Sequence, residues 1–136
     1  MAMRAESPAP GSPPGSQFLF EPALFGKLTA QFAAVPAAQL EQRWLYLEAA
    51  HVVGQTGVAP HFRVHWLMLA LAWETGDWRE FAGQVFRMAL VPLGHLTGRL
   101  PLGNSGKANV SAFEPMPVSK AVSEVIFLAR KSMPSA

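Results

Sequence analysis

The chain of 136 residues is long enough for one domain with a single hydrophobic core. Half of its residues are hydrophobic and only 15% are charged, which excludes an intrinsically disordered chain. A net charge of +2 without a basic run predicts no nucleic-acid partner, and the lack of cysteine excludes disulfides and thiolate metal sites.

The hydropathy pattern predicts no membrane insertion. Glu, His or Arg interrupts every apolar run before it reaches the roughly 18 residues that a spanning helix needs. The first residues also lack the apolar stretch of a signal peptide. By default we expect a cytoplasmic location.

Composition divides the chain into three parts. Residues 1–16 are rich in Pro, Gly and Ser and predict a disordered N-terminal tail. Residues 17–132 are expected to form a single helical domain, and residues 133–136 a short C-terminal tail.

Apolar residues at helical spacing predict five helices, at residues 21–34, 36–54, 60–75, 78–90 and 118–131. Pro22, Pro36 and Pro60 stand at expected first turns, where the missing N–H costs little. Asp77 is an expected N-cap, with Glu80 at the capping-box spacing.

The third predicted helix is apolar on nearly all sides, which is typical of a helix at the centre of a domain. Phe62, Trp66, Leu69 and Trp73 form one expected core stripe. The fourth helix is expected to turn Val85 towards the core, and Pro92 to stand beyond its end.

The fold class predicted from these elements is all-α, with antiparallel helix hairpins of a tetratricopeptide-like kind. Similar tetrapeptides at residues 47–50 and 86–89 suggest a degenerate repeat of about 39 residues. The Gly/Pro-rich segment 92–117 is expected to be a long ordered loop over the helices, followed by a C-terminal helix.

Four side chains are predicted to converge at the turn between the second and third helices. Glu48 and His51 share one helix face at i, i+3, and His61 and His65 share another at i, i+4. Carboxylate and imidazole donors at this spacing can hold Zn²⁺, Fe²⁺ or Mn²⁺. The alternative is that His51 and His65 only pack between helices and donate to a carbonyl or to Glu48, while His61 caps the third helix. Gln55 and Gln84 could then satisfy the rings without any ion.

Arginines near the glycine-rich segment suggest a second kind of site. Arg63, Arg87 and Arg99 could form a pocket for an anion, because guanidinium groups donate paired hydrogen bonds to carboxylates and phosphates. The alternative is that Arg87 pairs with an acidic neighbour and Arg63 is solvated. A nucleotide phosphate loop is excluded, since Pro101 stands where its first glycine is needed.

Several short patterns occur together along the domain: Leu47-Glu48-x-Ala50-His51-x-x-Gly54-Gln55, His61-x-Arg63-Val64-His65-Trp66-x-Met68-Leu69, Gly83-Gln84-x-x-Arg87, Gly94-x-x-Thr97-Gly98-Arg99-x-Pro101-x-Gly103-Asn104-x-Gly106 and Phe113-x-Pro115-Met116-Pro117. Over about residues 20–130 this combination resembles a small bacterial family known only as domain of unknown function 3703. The resemblance implies no activity. Its motif residues coincide with the candidate site residues, Glu48, His51, Gln55, His61, Arg63, His65, Gln84, Arg87, Arg99 and Asn104.

Three functions therefore stay open. The first is a non-catalytic interaction or scaffold domain with a protein partner or a second copy, which the lack of a recognisable catalytic constellation favours. The second is a metal-binding accessory protein that uses the Glu/His group. The third is a binder of a small anion or small molecule under the Gly-rich loop, which needs a concave pocket beneath residues 94–106.

Overall fold

The computed structural model describes residues 19–134, and within that range all regular structure is α-helical. The prediction of an all-α fold is therefore confirmed. The tails predicted at residues 1–16 and at the extreme C-terminus fall largely outside the described residues. The five helices are α1 (Pro22–Ala34), α2 (Leu40–Gly54), α3 (Val58–Thr75), α4 (Trp78–Thr97) and α5 (Lys120–Lys131).

The starts of α1, α4 and α5 agree with the start signals of the sequence. The predicted start of the second helix at Pro36 was wrong, because α2 begins at Leu40. Pro22 is the first residue of α1, where its missing N–H needs no partner. Asp77 Oδ1 accepts a hydrogen bond from Glu80 N at 3.0 Å, so Asp77 is the N-cap of α4. Ser119 caps α5 in the same way, accepting from Val122 N at 3.2 Å.

The predicted end of α4 was wrong. The helix passes through Pro92 and continues to Thr97, and Gly98 ends it with φ 70°. Proline removes one backbone donor from a helix, but it does not stop the residues beyond it from adopting helical dihedrals. The extra two turns carry His95 on a helix and not in a loop.

The core lies around α2, which packs against α1, α3 and α5. The prediction that α3 is the central helix was wrong, since its main packing partners are α2 and α4. The largest fully buried apolar side chains are Leu24, Leu28, Leu47, Met68, Leu71 and Val64. Among the described residues, no helix is long and apolar enough to cross a membrane.

The outer face of α3 is solvent-exposed, contrary to the predicted stripe. Trp66 and Trp73 expose 57% and 62% of their surface, and Phe62 exposes 42%. The buried face of α3 instead carries Val64, Met68 and two histidines. On α4, Val85 is also half-exposed and not in the core. A helix that is apolar on all sides has no periodicity to indicate which face is buried.

Residues 99–119 contain no helix or strand and lie against α2 and α4 through polar contacts. The buried Gln55, which is the C-cap of α2, accepts a hydrogen bond from Gly103 N at 3.1 Å and donates to Pro101 O. Ala108 N donates to the Glu80 carboxylate at 2.9 Å. The backbone groups of a segment without regular structure are thus partly satisfied by side chains of the helices.

Candidate metal centre

Three histidine rings meet between α2 and α3. His51 lies one turn before the end of α2, and His61 and His65 are one turn apart on the facing side of α3. The Nε2 atom of His61 lies 3.2 Å from Nε2 of His51 and 3.2 Å from Nε2 of His65. All three residues are buried, with at most 3% of their surface exposed.

The opposite side of two of these rings is fixed by a hydrogen-bond acceptor. His51 Nδ1 lies 2.7 Å from the carbonyl oxygen of Asn104, so this nitrogen carries the proton and donates it. His65 Nδ1 lies 2.7 Å from Oε1 of Gln84. With the proton on Nδ1, a neutral ring presents a lone pair at Nε2.

The orientation of the Gln84 amide follows from its other contacts. Its Nε2 donates to Glu80 Oε1 at 2.8 Å and to the carbonyl oxygen of Gly106 at 3.0 Å. Both of these atoms accept hydrogen bonds, so the amide nitrogen belongs there and Oε1 faces His65. This network fixes the tautomer of His65 as firmly as a backbone carbonyl fixes that of His51.

Neutral rings therefore cannot satisfy the contacts between the three Nε2 atoms. His51 and His65 both direct lone pairs at His61 Nε2, which can carry one proton at most. His61 Nδ1 also lies 3.0 Å from His95 Nε2; if it donates there, His61 Nε2 has no proton either. At least one pair of nitrogens at 3.2 Å is left without a hydrogen between them, an arrangement that a cation at the centre would stabilise.

A proton is a poor candidate for that cation near neutral pH. Burial, followed by the neighbouring His65 and His95, lowers the pKa of His61 to about 3. Burial also lowers the pKa of His65 to about 4, although the bond to Gln84 works in the opposite direction. The pKa of the fully enclosed His51 is lowered by burial and by the two other rings. Neutral imidazoles are the form that ligates metal ions.

The spacing of the nitrogens fits a transition-metal ion. One ring nitrogen from each of the three histidines lies within 4.8 Å of the other two. Taking that value as the widest separation, a central point lies roughly 2.4 Å from each nitrogen, a few tenths of an ångström beyond the Zn–N distance of about 2.0–2.1 Å. Small rotations of the rings would bring all three into bonding distance.

A cavity of about 440 Å³ opens on one side of the three histidines. Part of its wall comes from α4 and part from the segment after it. Its apolar wall includes Leu90, Val91, Leu93, Leu100, Ala112 and Phe113. Gly94, Thr97, Pro101, Asn104 and Gly106 also line it, so a concave pocket does lie beneath residues 94–106.

Two arginines line the same cavity. Arg87 is buried, with 7% of its surface exposed, and its Nη2 donates to the carbonyl oxygen of Val110. Within residues 19–134 it forms no ion pair at 4.0 Å or less, although the charge of Glu80 acts on it at longer range. Burial lowers the pKa of Arg87. Arg99, at the rim, is exposed.

The structure separates the predicted site residues into groups. Glu48 does not join the three histidines: its carboxylate lies 3.8 Å from Lys107 Nζ, and burial raises its pKa. Arg63 is exposed on α3 and does not line the cavity. Gln55 forms its hydrogen bonds with Pro101 and Gly103, in the segment after α4.

Asn104 and Gly106 form the part of the loop that lies on His51. Asn104 is buried; its Oδ1 accepts from Gly106 N at 2.9 Å and its Nδ2 donates to the carbonyl oxygen of Ser111 at 2.5 Å. Gly106 has φ 83°, and a Cβ there would lie 2.7 Å from the His51 ring. The loop can approach the ring this closely only because position 106 is glycine.

His95 is the functional candidate that the sequence patterns missed. The hydropathy pattern predicts a loop at this position, because Pro92 is expected to lie beyond the end of the helix. In α4, Gln84, Arg87, Val91 and His95 fall at intervals of three or four residues and so share one face. That periodicity, continued through the proline, was the signal that could have found it.

Comparison of the sequence with protein families matches residues 21–126 to a family described as "Protein of unknown function (DUF3703)". Searches of curated proteins and of solved structures gave no match.

Proposed function

The chain belongs to this family of unknown function, and we propose that it is a metal-binding protein whose ligands are the Nε2 atoms of His51, His61 and His65. One observation carries the proposal. The Nε2 atom of His61 lies 3.2 Å from the Nε2 atoms of His51 and His65, and neutral rings have too few protons to form a hydrogen bond in both contacts. The anchored Nδ1 atoms of His51 and His65 support it, because metal-binding histidines characteristically donate their second ring N–H to a carbonyl or amide oxygen.

The ligand chemistry narrows the choice of metal. Three neutral imidazoles suit Zn²⁺ and Fe²⁺ better than Mn²⁺, which prefers oxygen ligands. Glu48 is left out of the proposed ligand set, because its carboxylate contacts Lys107 instead.

Three ligands also leave a coordination position open. Structural zinc sites have four protein ligands, whereas sites with three protein ligands keep a place for water or another exchangeable molecule. All three histidines line the cavity, so the open position is expected to face it. A metal ion there would lower the pKa of a bound water and make it a better nucleophile.

The test is the metal content of tag-free protein, measured by mass spectrometry after growth with trace Zn, Fe, Mn, Cu and Ni. We expect close to one zinc or iron ion per chain, and its loss in the double variant His51→Ala, His65→Ala. Glu48→Gln is the matched control, since it removes a nearby charge and should keep the metal. A native protein that holds no metal and takes up none on titration would refute the proposal.

An interaction role remains a second candidate, favoured by the exposed aromatic face of α3 and α4. The rings of Trp73, Trp78 and Phe81 contact one another with centroids 5.3 to 6.0 Å apart, and both tryptophans are more than half exposed. Exposed aromatic clusters commonly mark protein contacts. The tetratricopeptide-like arrangement of the hairpins and a homodimer belong to this candidate. Analytical ultracentrifugation of the wild type and of the double variant Trp73→Ser, Trp78→Ser tests the dimer: the wild type should sediment as a dimer and the variant as a monomer.

A further inference from the structure

The cavity above the histidines has a definite chemical character. From it we infer that the protein binds a small organic carboxylate with an apolar body, whose charged end occupies the open metal position beside Arg87. This inference rests on the proposed metal function and goes beyond it by assigning the class of ligand.

Charge balance is the first argument. The three ligands are neutral, so a divalent metal would bring its full charge of +2 into a buried site. Arg87 adds a further positive charge at the same cavity, and its charge already acts on His51 and His65. In the described part of the chain no Asp or Glu lines the cavity. The buried Glu80 carboxylate acts on Arg87 at longer range and does not line the cavity, so it offsets at most part of this positive charge. Uncompensated buried charges are costly, so the loaded site favours an anion from outside the protein.

The free hydrogen-bonding capacity of Arg87 is the second argument. The guanidinium group has five N–H donors, and only the bond from Nη2 to the Val110 carbonyl oxygen is made within residues 19–134. Its side chain also lines the cavity. Guanidinium groups bind carboxylates with short, paired hydrogen bonds, so Arg87 is suited to hold a carboxylate that also contacts the metal.

The apolar wall is the third argument, and it favours an organic anion over an inorganic one. Leu90, Val91 and Leu100 line the space between the histidines and the rim. The volume of about 440 Å³ is within the range of about 300–1,000 Å³ that is usual for small-molecule sites. A hydrated phosphate or sulfate ion would leave this apolar surface uncovered, whereas an alkyl or aryl carboxylate would cover it.

The test uses protein loaded with Co²⁺, whose visible absorption spectrum reports on the ligands of the metal. The probes are octanoate, acetate, 1-octanol and inorganic phosphate, titrated by calorimetry and absorption. We expect octanoate to change the Co²⁺ spectrum and to bind at least tenfold more tightly than acetate, which lacks the apolar body. Octanoate should also bind at least tenfold more tightly than 1-octanol, which has the apolar body but lacks the charge.

Arginine variants locate the anion. Arg87→Gln should weaken octanoate binding by tenfold or more, because a charge-assisted hydrogen bond is lost, while Arg87→Lys should restore part of it. Arg63→Gln is the matched control, because Arg63 is exposed on α3 and does not line the cavity, and it should change the affinity less than threefold. Circular dichroism and Co²⁺ uptake show whether each variant is folded. If Arg87→Gln does not fold, the affinities of the wild type and of Arg87→Lys for the four probes still test the inference.

The outcomes separate the two proposals. A protein that takes up Co²⁺ but whose spectrum is unchanged by octanoate would overturn the carboxylate inference and leave the metal function standing. Phosphate binding as tightly as octanoate would also overturn it. A protein that takes up no metal would overturn both, because the carboxylate is assigned to the open metal position.

Discussion

At the scale of single residues, the candidate site depends on which nitrogen of each ring carries a proton. His51 and His65 are oriented by acceptors that lie outside the three-histidine group, Asn104 O and Gln84 Oε1. If a donor stood in place of either acceptor, the proton of that ring would move from Nδ1 to Nε2. The ring would then no longer direct an Nε2 lone pair towards the other two histidines. Both residues can be buried although they are polar, because their side chains are hydrogen-bonded: Gln84 bonds to His65, Glu80 and Gly106, and the Asn104 amide bonds to Ser111 and Gly106 within the loop.

The buried histidines make the stability of the metal-free protein depend on pH. In the unfolded chain they bind protons below about pH 6.5, whereas in the folded chain His65 does so only near pH 4 and His61 near pH 3. The unfolded state therefore binds more protons in this window, and the free energy of unfolding falls as the pH falls below about 6.5. Each histidine should contribute a loss of about 1.4 kcal/mol between pH 7.5 and pH 5.5.

Urea unfolding in the presence of a chelator measures this dependence. His61 and His65 together should cost roughly 3 kcal/mol across that interval, and His65→Leu should remove about half of that loss. His51, whose pKa burial also lowers, should add to the pH dependence in the same direction. If the variant and the wild type show the same pH dependence, His65 is protonated to the same extent in the folded and the unfolded chain, which would contradict the prediction.

Alanine substitutions at two glycines with positive φ can distinguish the effect of backbone strain from the effect of a clash with the His51 ring. Gly98 has φ 70° with open space around its Cβ position, whereas Gly106 has φ 83° and would place a Cβ 2.7 Å from His51. Gly98→Ala should cost about 1–2 kcal/mol of stability through strain alone and leave metal binding unchanged. Gly106→Ala should cost more and should also weaken metal binding, because the His51 ring must move.

Calorimetric metal titration together with thermal unfolding of both glycine variants tests this pair. Metal affinity that is unchanged in Gly106→Ala would show that the loop can move away without disturbing the ring.

At the scale of elements, α4 is where sequence reasoning and structure differ most. The N-cap at Asp77 was predictable, because a capping residue acts through a local hydrogen bond. The C-terminal end was not, since whether a helix continues past a proline depends on packing of the residues beyond it. With the helix predicted to end before Pro92, His95 is not grouped with Gln84 and Arg87, although the three residues follow one helical periodicity.

Proline inside α4 also leads to a stability prediction. Pro92 is exposed and provides no N–H for a bond to the preceding turn. Pro92→Ala should therefore stabilise the protein by about 1–3 kcal/mol, with metal content unchanged. Pro22→Ala is the control: Pro22 is at the first position of α1, where the N–H is not needed, so no gain is expected. Denaturant midpoints of the two variants give the comparison, and a loss of stability in Pro92→Ala would contradict it.

At the scale of the whole molecule, the sequence predicted the helix count and the convergence of His51, His61 and His65, because spacing within a helix and a short turn are local properties. It could not predict that Glu48 would lie beside Lys107, since that contact depends on the path of the segment after α4. Nor could it predict the exposed face of α3. The cavity depends on four separate segments, so it has no local sequence signal at all.

The position of the site between elements predicts how metal binding should affect the rest of the protein. Two of the proposed ligands belong to α3 and one to α2, and the ring of His51 donates a hydrogen bond to Asn104 of the irregular segment 99–119. A metal ion would thus stabilise both the packing of α2 on α3 and the attachment of this segment. By mass action, free metal at a thousandfold excess over its dissociation constant should add about 4 kcal/mol to the free energy of unfolding.

Hydrogen exchange with and without Zn²⁺ measures where this stabilisation appears. Amides in residues 99–119 should be protected most strongly, because this segment has few backbone hydrogen bonds of its own and opens most readily without the metal. Amides of α5, which packs on α1 and α2, should gain protection only through global unfolding. In His65→Ala the added Zn²⁺ should change neither region. Protection that rises equally in both regions of the wild type would mean that the metal stabilises the domain as one cooperative unit and does not act through the contact between His51 and Asn104.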